Sequence, residues 1–386
     1  MLSDAKAAFE QIGDHLGQAQ CLWSLGDICR MEHNFSEARI MFSDAKAAFQ
    51  QIGAQSGQAQ CLQSLGNICR MERNFSEARP MLSNAKAAFE QIGDHLGQAQ
   101  CLQKLGDICR MEHNFSEART MFSDAKAAFK QIGDHSGQGQ CLQTLGDICK
   151  MEHNYSKART MFSDAKAAFE QIGDHLGQAQ CLQKLGDICR MEHNFSEAKT
   201  LISDAKAAFQ QIGGHSGQAQ CLQSLGDISR MEHNFSEART MISDAQAAFE
   251  QIGDHSGQAR CLQSLGDIFT MEHNFSEART MISDAKAAFE QIGDQLGQAE
   301  CLLRLGKNCR AEHNYPEARK MFSDAKVFFE QIGNHWGAGE CLRHLENISR
   351  MQNNIPPHST TSKHTRIPNL TEAIKSLFHI KKIQNH

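Results

Sequence analysis

Between residues 94 and 133 the apolar positions fall in two helical registers separated by a short polar break. Leu96, Ala99, Leu102, Leu105, Ile108 and Cys109 recur at close to 3.6 residues. Phe115, Ala118, Met121, Phe122, Ala125, Ala128, Phe129 and Ile132 then do the same. Ser, Asp, Lys, Glu and Gln fill the remaining positions and give each helix a wet outer face. Asp94 is placed to cap the first helix, because its carboxylate can accept an orphan amide of the opening turn. Asn114 suits the break: it tolerates left-handed backbone, and with Glu117 three residues on it makes a capping-box pattern. Gly133 closes the second helix.

The same text, lightly edited, starts at Asp14, Ala54, Asp134, Asp174, Gly214, Asp254 and Asp294. A period this regular makes each copy one supersecondary unit whose apolar face is buried by its neighbours. The chain therefore reads as all-α, an α–α superhelix built by stacking antiparallel helix pairs. Residues 1–13 match the end of a second helix, so the text opens inside a unit, as a truncated start or a natural half-unit used as a cap. Eight complete units span 14–333. Residues 334–352 supply a ninth first helix with no second helix behind it. From 353 to 386 the composition shifts to Pro, Ser, Thr and His, which is that of a linker or disordered tail. Within it 371–383 has the pattern of a short basic amphipathic helix, readable as a cap on the last unit, as part of the tail, or as a membrane-surface helix; its shortness favours the tail.

Two positions in each unit stand out. Leu105-Gly106 lies inside a helix, where glycine costs about 1 kcal/mol against alanine, so close approach of a neighbouring helix is expected there. Ala118 and Ala125 are spaced to receive it. Leu-Gly, an aromatic at the start of the second helix and two alanines seven apart resemble the tetratricopeptide repeat. The forty-residue unit is most similar to the variety in kinesin light chains and spindle-orientation adaptors. The match recurs at Leu25-Gly26, Leu65-Gly66, Leu145-Gly146, Leu185-Gly186, Leu225-Gly226, Leu265-Gly266 and Leu305-Gly306. It departs where the family's closing proline is replaced by Gly53 or Gly93.

That resemblance implies a protein-interaction scaffold, in which the first helices line a concave groove that takes an extended or helical peptide. By position the groove residues of one unit are Gln100, Gln103, Lys104, Asp107, Arg110 and Met111. Asp147 and Lys150, Asp187 and Arg190, Asp227 and Arg230 continue the ladder. Each Asp and the cation three residues later also form a helix-surface ion pair worth a few tenths of a kcal/mol. Some family members hold a terminal carboxylate with asparagines and basic residues; here only Asn67 and Asn347 keep the asparagine. A second reading takes the array as the sensor portion of a larger nucleotide-binding signalling ATPase.

Composition narrows the chemistry. A net charge of −6 argues against general nucleic-acid affinity. No apolar run is long enough to span a bilayer, and no membrane partner is expected. Fifteen cysteines without an export signal read as reduced thiols in the cytoplasm. No GxxxxGK is present, and no cofactor is implied. Cys101, Cys109 and His113 have a spacing that can chelate metal. Yet Arg73 replaces the histidine in one unit, and Ser229 and Phe269 replace the second cysteine in others, so packing is the better account. His15, His95 and His135 recur at joints and form no asymmetric constellation of the kind a catalyst needs. Pro80, in the body of a second helix, is expected to kink it.

Overall fold

The computed structural model describes Phe9 and residues 11–353. Seventeen helices follow one another in that span, with no strand among the described residues. The first helices of the units are α1 (His15–Met31), α3 (Gln55–Met71), α5 (His95–Met111), α7 (His135–Met151), α9 (His175–Met191), α11 (His215–Met231), α13 (His255–Met271), α15 (Gln295–Ala311) and α17 (His335–Asn353). The second helices are α2 (Phe35–Gln51), α4 (Phe75–Gln91), α6 (Phe115–Gln131), α8 (Tyr155–Gln171), α10 (Phe195–Gln211), α12 (Phe235–Gln251), α14 (Phe275–Gln291) and α16 (Tyr315–Gln331). The half-unit expected at the start lies mostly outside the described residues. The tail and its amphipathic segment at 371–383 lie wholly outside them.

Local chemistry sets the helix ends. Asp94 accepts from the Gly97 amide at 2.8 Å, and the equivalent aspartates do the same at 2.8–3.0 Å. Ala54 and Gly214 have no side-chain cap. Asn114 accepts from the Glu117 amide at 3.3 Å, and its own side-chain N–H donates to the Glu117 carboxylate at 2.7 Å. The glutamate thus grips the cap's side chain, because the Asn114 backbone amide already donates to the Cys109 carbonyl at 2.8 Å. That bond and His113 N–H to the Arg110 carbonyl close a Schellman turn. The left-handed residue is therefore His113, with φ 60°, and Asn114 stays at φ −85°. This corrects the sequence expectation: a capping Asn must keep non-helical, negative φ, so the left-handed step moves one residue earlier. The His113 ring then stands edge-on to Phe115 at 5.9 Å between centroids. Gly133 ends α6 by the same turn at φ 73°.

Each core joins three helices. Ala99, Leu102 and Cys109 of α5, Ala118, Phe122, Ala125 and Phe129 of α6, and Cys141, Leu145 and Ile148 of α7 pack as one cluster. No unit is closed by itself, as a solenoid requires. Gly106 does admit the partner helix, but what it admits is Phe122: a Cβ there would sit 3.0 Å from the ring. Ala118 and Ala125 are fully buried on either side of that phenylalanine. A second close approach joins successive units. A Cβ on Gly97 would lie 2.5 Å from the Phe89 ring of the preceding unit, so glycine here seats one unit on the next. At α17 the Gly106 position is occupied by Glu346.

Candidate functional site

First helices of successive units touch, as α1 with α3 and α3 with α5, while second helices of successive units do not approach comparably. The uncovered sides of the first helices line up along the stack as one face, the inner wall that the resemblance leads one to expect. Gln100, Gln103, Lys104, Asp107, Arg110 and Met111 all lie half-buried on α5. A ladder of amides crosses the units: Gln63 donates to Gln100 at 3.3 Å, Gln103 to Gln140 at 3.1 Å and Gln183 to Gln220 at 3.3 Å.

Beside that ladder runs one of charge. Arg110 meets Asp107 at 3.2 Å, Arg190 meets Asp187 at 3.5 Å and Arg230 meets Asp227 at 3.4 Å. The fourth expected pair does not form. Asp147 reaches across to Lys184 of the next unit at 2.7 Å instead of down its own helix to Lys150. Burial raises the Asp227 carboxyl above its ordinary value, against the pull of Arg230 and Arg190. The Nε atoms of Arg110, Arg190 and Arg230 are buried with no hydrogen-bond acceptor.

One contributor escaped the sequence reading. Trp23 stands where other units carry Gln63, Gln103 and Gln143, and that substitution was the available signal. Its indole Nε1 is likewise buried without an acceptor. Two open pockets flank it. The larger, about 360 Å³, is lined by Trp23, Gln60, Gln63, Phe89, Leu96 and Gln100. The smaller, about 260 Å³, lies between Trp23, Gln20, Phe49 and Gln60. At the other end a pocket of about 320 Å³ is lined by Asp267, Glu300, Arg304, Lys307, Trp336 and Glu340.

Apart from half-buried Cys29, the cysteines are buried. Cys101 and Cys109 are fully buried, and Arg79 from the preceding unit approaches Cys109 at 3.5 Å. Burial pushes the Cys101 thiol up to about 11. Among the described residues no three His, Cys, Asp or Glu side chains gather as a metal site.

Residues 58–131 and 140–211 match the tetratricopeptide repeat family. Over those residues the chain carries tetratricopeptide repeats. No curated protein matches its sequence. Among solved structures, the tetratricopeptide array is similar to aspartyl phosphate phosphatase F from Bacillus subtilis, with a TM-score of 0.62 at 13% identity over 86% of this chain and 91% of that one. It is also similar to a Rap conjugation gene regulator of the plasmid pLS20 in complex with a Phr peptide. There the TM-score is 0.51 at 11% identity, over 82% of this chain and 96% of that one. A signal transduction ATPase with numerous domains and a tetratricopeptide repeat sensor, from Pyrococcus horikoshii, gives 0.54 at 14% identity. That match takes in 96% of this chain but 54% of the ATPase. At these identities the likeness is one of fold. No helix of the described residues is long and apolar enough to cross a membrane.

Proposed function

We propose that this array is a cytoplasmic, non-enzymatic scaffold that binds an extended or helical peptide of a partner protein along the inner wall of first helices. The observation that carries the reading is the continuous face of half-buried polar and long side chains on the first helices, Gln100, Gln103, Lys104, Asp107, Arg110 and Met111 in one unit, with open pockets beside Trp23. Such a face offers a peptide both apolar seats and hydrogen-bonding side chains. Variation within the chain supports the same face. Trp23, Gln63 and Leu303 share one position, and Ser64, Lys104, Thr144 and Arg304 another. The core positions of Ala118 and Cys101, by contrast, repeat unchanged from unit to unit. Burial raises the Cys101 and Cys141 thiols above their ordinary value and so leaves them protonated and poor nucleophiles.

The test is a random peptide display library panned over the full chain and over a variant with Arg110, Arg190 and Arg230 changed to Met. Enrichment on the wild type and at least a tenfold weaker capture by the variant is the expected result. Equal capture by both overturns the assignment to this wall.

The similarity to the sensor of the Pyrococcus horikoshii ATPase favours a second reading, in which the same wall senses a ligand for an attached nucleotide-binding domain. Genomic sequence upstream of Met1 decides it: an in-frame P-loop supports the sensor, and its absence leaves the scaffold.

A further inference from the structure

One turn beyond Gln100 on α5 lies Lys104, and the same position carries Lys184 on α9 and Arg304 on α15. Two of these three cations are neutralised by the preceding unit. Lys184 Nζ lies 2.7 and 2.9 Å from the Asp147 carboxylate, and Arg304 Nε lies 3.1 and 3.3 Å from that of Asp267. Lys104 is denied that partner, because the residue facing it from α3 is Asn67. The Asn67 side-chain oxygen is already taken by Arg70, which donates from Nε at 3.1 Å and from its terminal nitrogen at 2.8 Å. Asp107 on the same helix is held by Arg110 at 3.2 Å, with Arg70 4.0 Å away. Around Lys104, then, three cations share one carboxylate, and no hydrogen bond or ion pair among the described residues ends on its ammonium. Burial pushes that ammonium's pKa down, the cost of a charge withdrawn from water without a counter-ion.

One turn before Lys104 on α5, Gln100 lines the pocket of about 360 Å³, whose wall also holds Trp23, Phe89 and Leu96, and Asp94, whose carboxylate accepts from the Gly97 amide. Trp23 supplies an indole N–H that nothing accepts.

We infer that the first three units recognise a peptide segment carrying an apolar side chain, seated beside Trp23, next to an acidic side chain whose carboxylate pairs with Lys104. This rests on the inner wall being the peptide-binding face. Gln100 and Lys104 are four residues, about 6 Å of helix rise, apart, and an extended peptide advances about 3.3 Å per residue. The apolar and acidic residues therefore lie within about three residues of each other. Units five and eight do not select for acid at the same position, since Asp147 and Asp267 already satisfy their cations.

The experiment pans a random dodecapeptide display library over the full chain and over two variants, Asn67→Asp and Trp23→Gln. Both introduce a residue that other units carry, and circular-dichroism melts confirm that each folds. Wild type is expected to enrich peptides with Asp or Glu within three residues of a large apolar residue. Asn67→Asp gives Lys104 the counter-ion that Lys184 has, and it should lose the acidic enrichment while keeping the apolar one. Trp23→Gln should lose the apolar enrichment. In a selected synthetic peptide, Glu→Gln should weaken binding to the wild type about tenfold and binding to Asn67→Asp by less than twofold. Peptides enriched without acidic preference, or an equal Glu→Gln effect on both proteins, overturn this inference and leave the inner wall standing. No enrichment by the wild type overturns the peptide-binding reading and this inference with it.

Discussion

Two cysteines per unit look interchangeable in the sequence, and their surroundings separate them. The Cys101 position is cysteine in every unit, and the side chain that hydrogen-bonds to its sulfur is Gln63, whose amide donates at 3.6 Å. The Cys109 position looks toward a glutamate one helix away. Where serine replaces it, Ser229 donates to the Glu237 carboxylate at 3.2 Å. Cys109→Ser should therefore change stability by less than about 0.5 kcal/mol, as a hydroxyl with a waiting acceptor. Cys101→Ser should cost about 1–2 kcal/mol, because it buries a hydroxyl without one. Urea denaturation of the two single variants checks the asymmetry, and equal losses would refute it. The thiols also predict a pH dependence. Burial pushes Cys61, Cys141, Cys221 and Cys261 up to about 12 from an ordinary 9.0. Above pH 9 the unfolded chain loses thiol protons that the folded chain keeps, so the folded state is progressively disfavoured. Their contribution is complete below pH 9 and is lost as pH rises toward 12. The urea midpoint should fall between pH 9 and 10.5, and less steeply in a Cys61→Ala, Cys221→Ala double variant. A parallel fall in that variant would assign the effect to other groups.

At the scale of one helix, Pro80 shows how much a local rule decides. Proline in a helix interior removes an amide and crowds the carbonyl four residues back, which was the reason to expect a kink. The helix α4 nonetheless runs unbroken from Phe75 to Gln91. Ala78, Leu82, Ala85 and Phe89 stay as buried as their counterparts in other units. Pro80 sits on the exposed side, so the crowded carbonyl of Ser76 faces water and not the core. The helix start carries no mark of the proline either, since the cap missing at Asn74 is missing at Asn234 and Asn274 too. Asn74 makes no side-chain cap to the backbone, and the Ser76 hydroxyl stands 2.9 Å from its oxygen. With threonine at this position, Thr120 donates its hydroxyl to the Ser116 carbonyl at 3.3 Å. Pro80→Thr restores the amide donor and should stabilise the array by about 1–3 kcal/mol, the low side of the helix-proline penalty because the site is exposed. Native-state hydrogen exchange of amides 79–84 reads it directly. If they are already as protected as amides 159–164 and the variant changes nothing, the proline is without cost here.

For the whole molecule, the forty-residue period made the fold legible, since caps, apolar faces and the helix-interior glycine all repeat in phase. What stayed hidden joins residues 33 to 38 apart in sequence. The Gln63–Gln100 rung and the Arg79–Glu112 and Arg119–Glu152 ion pairs all cross from one unit to the next. Helical periodicity describes one helix at a time, so it could nominate Gln100 and Lys104 for the inner wall but not say that Asp147 prefers Lys184 to Lys150. The same dependence on neighbours locates the weakest interface. Ile68, Ile108, Ile148, Ile188, Ile228 and Ile268 occupy one fully buried position between units, and α15 puts Asn308 there, also fully buried. Its oxygen accepts from the Thr270 hydroxyl at 3.1 Å, but its amide nitrogen is buried with no acceptor. An unmet buried donor costs roughly 1–3 kcal/mol, and in a stack of nearest-neighbour interfaces that cost is concentrated where α13 meets α15. Asn308→Ile should recover it, since Thr270 keeps a bond to the Gly266 carbonyl at 2.8 Å. The gain should appear as increased hydrogen-exchange protection in α13 through α16, with α5 through α8 unchanged, because distant units share no partner with residue 308. A neutral or destabilising Asn308→Ile would mean that the amide is satisfied in solution, by water or a bound group, and that the array opens first elsewhere.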